Sequence, residues 1–292
     1  MSVLFVTLQG TRYEYEKIRF WYPEHLGMKV IRVAPYMVTV GYPSKPNSCC
    51  IEFRVHHKPT ARYVASDTDL YWKVSLCMPD VNLARERLIK LGLHVSAPVQ
   101  FRDIGYLCHT KDFIGYNMEL LQHRFESNFT KKYAEAFKDE TSPIRQIATV
   151  GLLTIRVTNA DRSKKFYSEV MGMKLLSSQH VCDAFDLHFF ADTTEEPPNK
   201  DPWSVDNREW LYSRDFTSLE LQVKHGVDHF DATPSDMLGY RGFGLGVKAD
   251  IFHSLKKTYS STVDSDYGEE VIHVTDPDGH AITVFCRGGA GK

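Results

Sequence analysis

The sequence predicts an α+β fold of four βαβββ modules, on three observations. Residues 21–30 (WYPEHLGMKV) and 166–175 (FYSEVMGMKL) repeat one another half a chain apart, with Tyr22, Glu24, Gly27, Met28 and Lys29 recurring as Tyr167, Glu169, Gly172, Met173 and Lys174. The chain has 292 residues, enough for two ordinary domains. Within each half, a β-like run, a helical stretch and several further β-rich pieces follow one another twice.

In the first module, Val3 to Gln9 is β-like. Tyr13 to about Trp21 reads as a helix broken near Pro23 and closed by Gly27. Strands Lys29 to Val33, Tyr36 to Val40 and Cys49 to Val55 follow. The second module reads as strand Trp72 to Met78 and a helix from Asp80 to Leu91, started by Pro79-Asp80 and stopped at Gly92. Strands near Gly105 to His109 and Tyr116 to Leu121 complete it. Residues 126–143 are polar and read as a linker with a short helix at Lys131 to Phe137. In the third module, strand Val150 to Val157 precedes a helix from Asp161 to Met171 ended by Gly172, with strands near Phe185 to Ala191 and Thr217 to Val223. Residues 192–215 are polar and contain prolines, and read as a loop. The last module takes in Gly242 to Lys248, a helix around Ile251 to Tyr259, and strands Glu270 to Val274 and Ala281 to Phe285. The expected organisation is an N-terminal domain over 1–125, a linker over 126–147 and a C-terminal domain over 148–287.

Composition narrows the function classes. The chain is 42% hydrophobic and 25% charged, with a formal net charge of −2. No basic excess points to nucleic acid, and no apolar run reaches the roughly 20 residues of a membrane helix. Val3 to Leu8 is too short for a signal peptide. The six cysteines form no CxxC pair and read as reduced, buried thiols. A cytoplasmic protein is expected, and the Asn128-Phe129-Thr130 sequon carries no weight there.

Several segments carry a family resemblance: TIRV (154–157), KFYSEVMGMKL (165–175), SLELQVKHG (218–226), RGFG (241–244) and DPDGHAITVF (276–285). Through them the second half resembles glyoxalase I, the lactoylglutathione lyase of the vicinal oxygen chelate superfamily. The first half matches more loosely, through WYPEHLGMKV, CIEFRVHH, MPDVNLARERLIKLG and DFIGYNMELL. The resemblance implies a tandem glyoxalase-like protein, its four modules paired into two open β-barrel domains. Modules of such proteins pair within one half or across halves.

It also implies a divalent metal, Zn or Ni, held between paired modules by a His or Gln on each first strand and a Glu on each last strand. Such a metal would acidify water and stabilise an enediolate while a carboxylate moves the proton. Carried over one position at a time, the carboxylates match as Glu52, Glu119 and Glu220. The remaining positions fall near Leu4, on Lys73, on Leu152, on Leu245 or Phe243, and on Thr283. The expected metal site is therefore degenerate and its ligands unknown. His56, His57, His109, His188 and His225 are other candidates to reach it. Lys73 and Glu119 share a module, and so share a cavity, either with Glu52 (pairing within a half) or with Glu220 (pairing across halves). In one reading Lys73 replaces the ion, because neighbouring buried carboxylates cannot both ionise cheaply without a cation. In the other it is an exposed strand lysine. Arg156 and Arg241 match arginines that grip glutathione carboxylates in the family, and otherwise pair with local acids. The matching Asn and lysines fall on Lys224 and near Tyr267 and Glu269, leaving that grip incomplete. Trp72, Trp203 and Trp210 line a pocket or serve packing and loop anchoring.

Two functions follow. One is a diverged lyase or isomerase acting on 2-oxo compounds or glutathione adducts, with Glu119 as general base beside Glu52 or Glu220. The other is a non-catalytic protein binding a small-molecule ligand, a glutathione conjugate among them. An iron ring-opening dioxygenase is disfavoured by the missing histidines. The implied partner is a small molecule rather than a nucleic acid or a membrane, and the chain is monomer or homodimer.

Overall fold

The computed structural model describes residues 3–125, 144, 148–264 and 267–287. The short helix expected at Lys131 to Phe137, the sequon at Asn128 and nearly all of the linker lie outside the described residues.

Module 1 comprises β1 (Val3–Gly10), α1 (Arg12–Leu26), β2 (Lys29–Ala34), β3 (Met37–Gly41) and β4 (Cys50–Val55). Module 2 comprises β5 (Tyr71–Met78), α2 (Val81–Lys90), β6 (Val99–Phe101), β7 (Gly105–Lys111) and β8 (Asn117–Gln122). In module 3, β9 (Thr149–Val157) leads into α3 (Ala160–Lys165), which runs on as a π-helical turn, Phe166–Val170. Strands β10 (Lys174–Cys182) and β11 (Phe185–Ala191), helix α4 (Val205–Tyr212) and β12 (Ser218–Lys224) complete it. Module 4 comprises β13 (Tyr240–Lys248), α5 (Ala249–Leu255), β14 (Ser261–Asp264), β15 (Glu269–Thr275) and β16 (Ala281–Arg287).

In every module the first strand lies parallel to the last, and the other neighbours are antiparallel. Modules then join first strand to first strand, antiparallel: β1 to β13 and β5 to β9. The result is two eight-stranded sheets, β14-β15-β16-β13-β1-β4-β3-β2 and β10-β11-β12-β9-β5-β8-β7-β6. Pairing therefore runs across the halves, so each sheet takes one module from 1–125 and one from 148–287.

Several elements differ from expectation. Helix α1 is not broken at Pro23. Thr11 and Glu14 form a reciprocal cap at its start, and at its end Gly27, at φ 65°, donates its N–H to the Pro23 carbonyl at 3.1 Å. Proline removes one backbone donor from a helix already held at both ends. The polar stretch 192–215 holds α4, whose amphipathic signal is weak because two buried polar residues, Asn207 and Arg208, hold the adjoining loops. Of the six cysteines, all free, Cys49, Cys77 and Cys108 are buried and the other three are half-buried.

The repeated tyrosine has a structural task in each half. Tyr22 Oη donates to Asp112 Oδ2 at 2.8 Å, and Tyr167 Oη donates to Asp276 Oδ2 at 2.7 Å. Each aspartate sits in the turn before the last strand of the next module and accepts backbone N–H groups through its other oxygen, Oδ1. These tyrosines pin module 1 to module 2 and module 3 to module 4. They lie in one apolar core that draws on all four modules, including Ile18, Leu88, Leu153 and Phe252.

Burial pushes Asp112 up to about 6, against the pull of the Tyr22 hydroxyl and the N–H groups of Tyr116, Gly115 and Ile114. A raised carboxylate contributes stability below its ordinary value of 3.8, and that contribution is lost as pH rises through 6. Tyr22→Phe takes one donor from the ionised form. We predict a loss of about 1–3 kcal/mol at pH 7 and a smaller loss at pH 4, measured by urea unfolding at both pH values.

Candidate functional site

Strand register brings the predicted residues of modules 2 and 3 together. On β5 and β8 Ser75 lies opposite Glu119, on β9 and β12 Thr154 lies opposite Glu220, and across the module junction Lys73 lies opposite Thr154. Side chains two apart on a strand share a face, so Lys73 and Ser75 look into the same space. Lys73, Glu119 and Glu220 are 5%, 4% and 3% exposed.

Lys73 Nζ donates to Glu119 Oε1 at 2.8 Å, to Glu220 Oε2 at 3.1 Å and to Ser75 Oγ at 3.0 Å, which uses all three ammonium protons. Ser75 Oγ donates onward to Glu119 Oε1 at 2.7 Å, and Thr154 Oγ1 donates to Glu220 Oε2. His109 Nε2 lies 3.3 Å from Glu119 Oε2. Burial pushes Glu119 up, but the Lys73 ammonium and the His109 contact outweigh it and bring the carboxyl down to about 2. Burial raises Glu220, and the charge of Glu119 adds to this, outweighing Lys73 and Thr154. Burial acts against the Lys73 charge, but the two carboxylates outweigh it and hold the ammonium above its ordinary range. The Lys73 ammonium thus stands between one carboxyl pushed towards its ionised form and one pushed towards its protonated form.

Above this cluster lies a cavity of about 270 Å³, walled by Ile104, Leu107, Leu121, Leu152 and Leu187 and bordered by Trp72, Phe101 and Phe185. Gln222 and Tyr212 also line it. Helix α4 supplies Tyr212, whose hydroxyl donates to the Ile104 carbonyl at 3.0 Å.

Glu52 lies in the other sheet and does not meet Lys73. It accepts from Arg54 Nε at 2.8 Å, from Thr7 Oγ1 at 3.3 Å and from the Tyr267 hydroxyl. Thr7 lies opposite Glu52 as Thr154 lies opposite Glu220. By the same register Phe5, rather than Leu4, is the counterpart of Lys73, and Gly242, rather than Leu245 or Phe243, is that of module 4. Phe5 stacks on Tyr267 at 5.4 Å and meets Phe285 edge-on at 5.8 Å. A side chain at Gly244 would put Cβ 2.5 Å from the Phe5 ring. The space beside Glu52 is thus packed with rings.

Arg156 and Arg241 hold loops. Arg156 Nη1 donates to the carbonyls of Ser66 and Asp69, both at 2.8 Å, while Nε donates to Gln222 Oε1 at 3.2 Å. Arg241 donates to Gln9 Oε1 at 2.8 Å and to the carbonyls of Thr233, Pro234 and Met237. Of the five histidines considered, His109 lines the cavity. His188 pairs with Ser178, His225 with Asp186, and His56 with the Ser235 carbonyl, while His57 meets Tyr36 edge-on. Ser75, Thr154 and Gln222 escaped the sequence reading. Stepping two residues along the strands from Lys73 and Glu220 would have found Ser75 and Gln222.

The donor set does not fit a transition metal. The Lys73 ammonium occupies the space between Glu119 and Glu220 where an ion would sit, and an ammonium has no lone pair to offer one. Among the described residues no group of three or more His, Cys, Asp or Glu side chains is arranged to hold a metal ion. No helix among them is long and apolar enough to cross a membrane.

Residues 149–259 match the family model of the Glyoxalase/Bleomycin resistance protein/Dioxygenase superfamily. Glyoxalase I from Zea mays is similar in structure, with a TM-score of 0.65 at 18% identity, over 97% of this chain and 91% of that one. A proposed dioxygenase from Bacillus subtilis is similar at a TM-score of 0.61 and 15% identity, over 99% of this chain and 86% of that one. No curated protein sequence matches.

Lys73→Met leaves Glu119 and Glu220 facing each other without their cation. We predict a loss of about 3–5 kcal/mol, read by urea unfolding at pH 7. Glu119 is depressed in the fold, so its contribution is present above its ordinary value of 4.5 and drains as pH falls towards 2. Lys73→Met abolishes most of that acid-side slope, and unchanged stability and slope would remove Lys73 from the role of internal cation.

Proposed function

We infer that this glyoxalase-like protein, which has the fold throughout and a superfamily match over residues 149–259, binds a small molecule in the cavity of modules 2 and 3 without a metal. The observation that carries this reading is the Lys73 ammonium, which donates three hydrogen bonds from the place an ion would hold. A cavity of about 270 Å³ lies just below the roughly 300–1,000 Å³ of pockets for drug-sized ligands, which favours a compact occupant. Its apolar walls supply affinity and its few polar groups supply orientation. We assign Arg156 and Arg241 to loop anchoring, because their donors are committed to backbone carbonyls and glutamine side chains. A glutathione adduct would then lack its carboxylate grip.

A second reading, a metal-free lyase or isomerase, rests on the opposite displacement of Glu119 and Glu220. A carboxyl pushed down beside one pushed up suits the division of labour of an acid and base pair. Here Glu119 would accept the proton and Glu220 would return it.

Metal analysis of purified protein, combined with a lactoylglutathione assay with and without added Zn or Ni, separates these readings. The first predicts substoichiometric metal, no metal-induced rise in the thermal midpoint and no turnover. Turnover without metal would support the second reading, and stoichiometric metal with turnover would sink both.

A further inference from the structure

Resting on the reading of this cavity as a ligand site, we propose that its ligand is an uncharged, mainly apolar molecule with one hydrogen-bond acceptor, and that the Gln222 carboxamide is the donor that reads it. Gln222 is 8% exposed and lines the cavity. Its orientation is fixed from behind. Arginine has only donors, so the amide atom facing Arg156 Nε at 3.2 Å must be the oxygen. The amide nitrogen therefore takes the other side, and among the described residues it has no acceptor. Arg156 cannot swing away to reverse the amide. It is 2% exposed, is held by the Ser66 and Asp69 carbonyls, and stacks over the Trp72 ring at 4.8 Å.

The other polar groups exclude a charged ligand. All three protons of Lys73 go to side chains, and its charge is matched by Glu119. An incoming anion would meet two carboxyl groups and no unmatched cation. A cation would have to displace the Lys73 ammonium, which already occupies the space between Glu119 and Glu220. The Tyr212 hydroxyl is taken by the Ile104 carbonyl and receives Gln179 Nε2 at 3.1 Å, so it does not compete for the ligand. Beside the His109 ring, whose Nε2 faces Glu119, and the Trp72 ring that Arg156 covers, the Gln222 amide is the donor whose orientation is fixed, and on an apolar wall it suits a carbonyl oxygen on a compact hydrocarbon frame.

Three probes of similar shape test this against the full chain: acetophenone, ethylbenzene and benzoate, titrated by ligand-observed NMR with heteronuclear shifts of the Gln222 side-chain amide as a local readout. Acetophenone is expected to bind about three- to tenfold tighter than ethylbenzene, the worth of one neutral hydrogen bond, and to shift the Gln222 amide resonances. Benzoate is expected to bind at least about tenfold more weakly than acetophenone. In Gln222→Met, acetophenone should fall to the level of ethylbenzene while ethylbenzene binding persists, showing that the cavity is intact. If that variant loses ethylbenzene binding too, Gln222→Glu, which keeps an acceptor for Arg156 but no donor for the ligand, carries the same comparison. Equal binding of acetophenone and ethylbenzene to the unmodified protein, or preference for benzoate, overturns this inference alone. Failure of all three to bind overturns the ligand-site reading beneath it.

Discussion

One ammonium group decides what this fold can be. Two buried carboxylates, Glu119 and Glu220, project from β8 and β12 into the same space, and charges so placed cannot both persist without a counter-ion. Lys73 supplies that counter-ion from β5, with its alkyl chain buried in the sheet and its head between the two carboxylates. The interaction ties module 2 to module 3 at the junction where β5 meets β9, so the electrostatic seam and the hydrogen-bonded seam coincide. Ser75 and Thr154 add hydroxyl donors to the same two carboxylates. Buried charge is an expensive way to join two modules if stability alone is at stake, since apolar side chains of similar volume do as well. Its place at the floor of a cavity supports the proposal that the cavity, rather than the sheet, is what it serves.

Sheet pairing and side-chain pinning run in different directions along the chain. Hydrogen bonds between strands join module 1 to module 4 and module 2 to module 3. The Tyr22–Asp112 and Tyr167–Asp276 contacts join module 1 to module 2 and module 3 to module 4. Together they close the four modules into a ring of contacts, with every module bound to two others by chemically different means. The repeated motif is therefore the sequence trace of a joint between modules, and its tyrosine explains why both halves keep it.

The fold was legible because its signals are local and redundant. Helix stops at Gly27 and Gly172, an N-cap at Asp80 and β-rich runs each marked an element, and the repeat gave the architecture. Helix α4 was missed because it is short and turns Asn207 and Arg208 inward, so its residues look like loop residues. The carboxylates Glu119 and Glu220 and the amine between them could be named from the family resemblance, but their meeting depended on pairing across halves, which no local signal encodes. The same holds for the arginines. Sequence shows a guanidinium at 156 and 241, yet only the path of residues 66–71 and 233–237 reveals that backbone carbonyls take its protons. Sequence puts the first-strand position near Leu4 because it depends on where the extra residues of the first helix are placed, whereas the unbroken β1–β4 register sets Phe5 two residues before Thr7, as Lys73 is two before Ser75.

The two sheets show what one strand position controls. At Lys73 the side chain is a cation that keeps two carboxylates compatible and leaves open space above them. At Phe5 it is a ring that stacks on Tyr267, and the neighbouring Gly244 has no side chain to obstruct it. Glu52, equivalent in register to Glu220, then has no second carboxylate to face and is satisfied by Arg54, Thr7 and Tyr267. One site has become core, held by aromatic contacts, while the other has kept a cavity with a polar floor. Packing favours filled space, because each void forgoes dispersion contacts along its walls. A chain that filled one of two equivalent sites and left the other open therefore retains the second against its own packing preference. That asymmetry supports the proposal that a small molecule binds at the junction of modules 2 and 3, over Lys73.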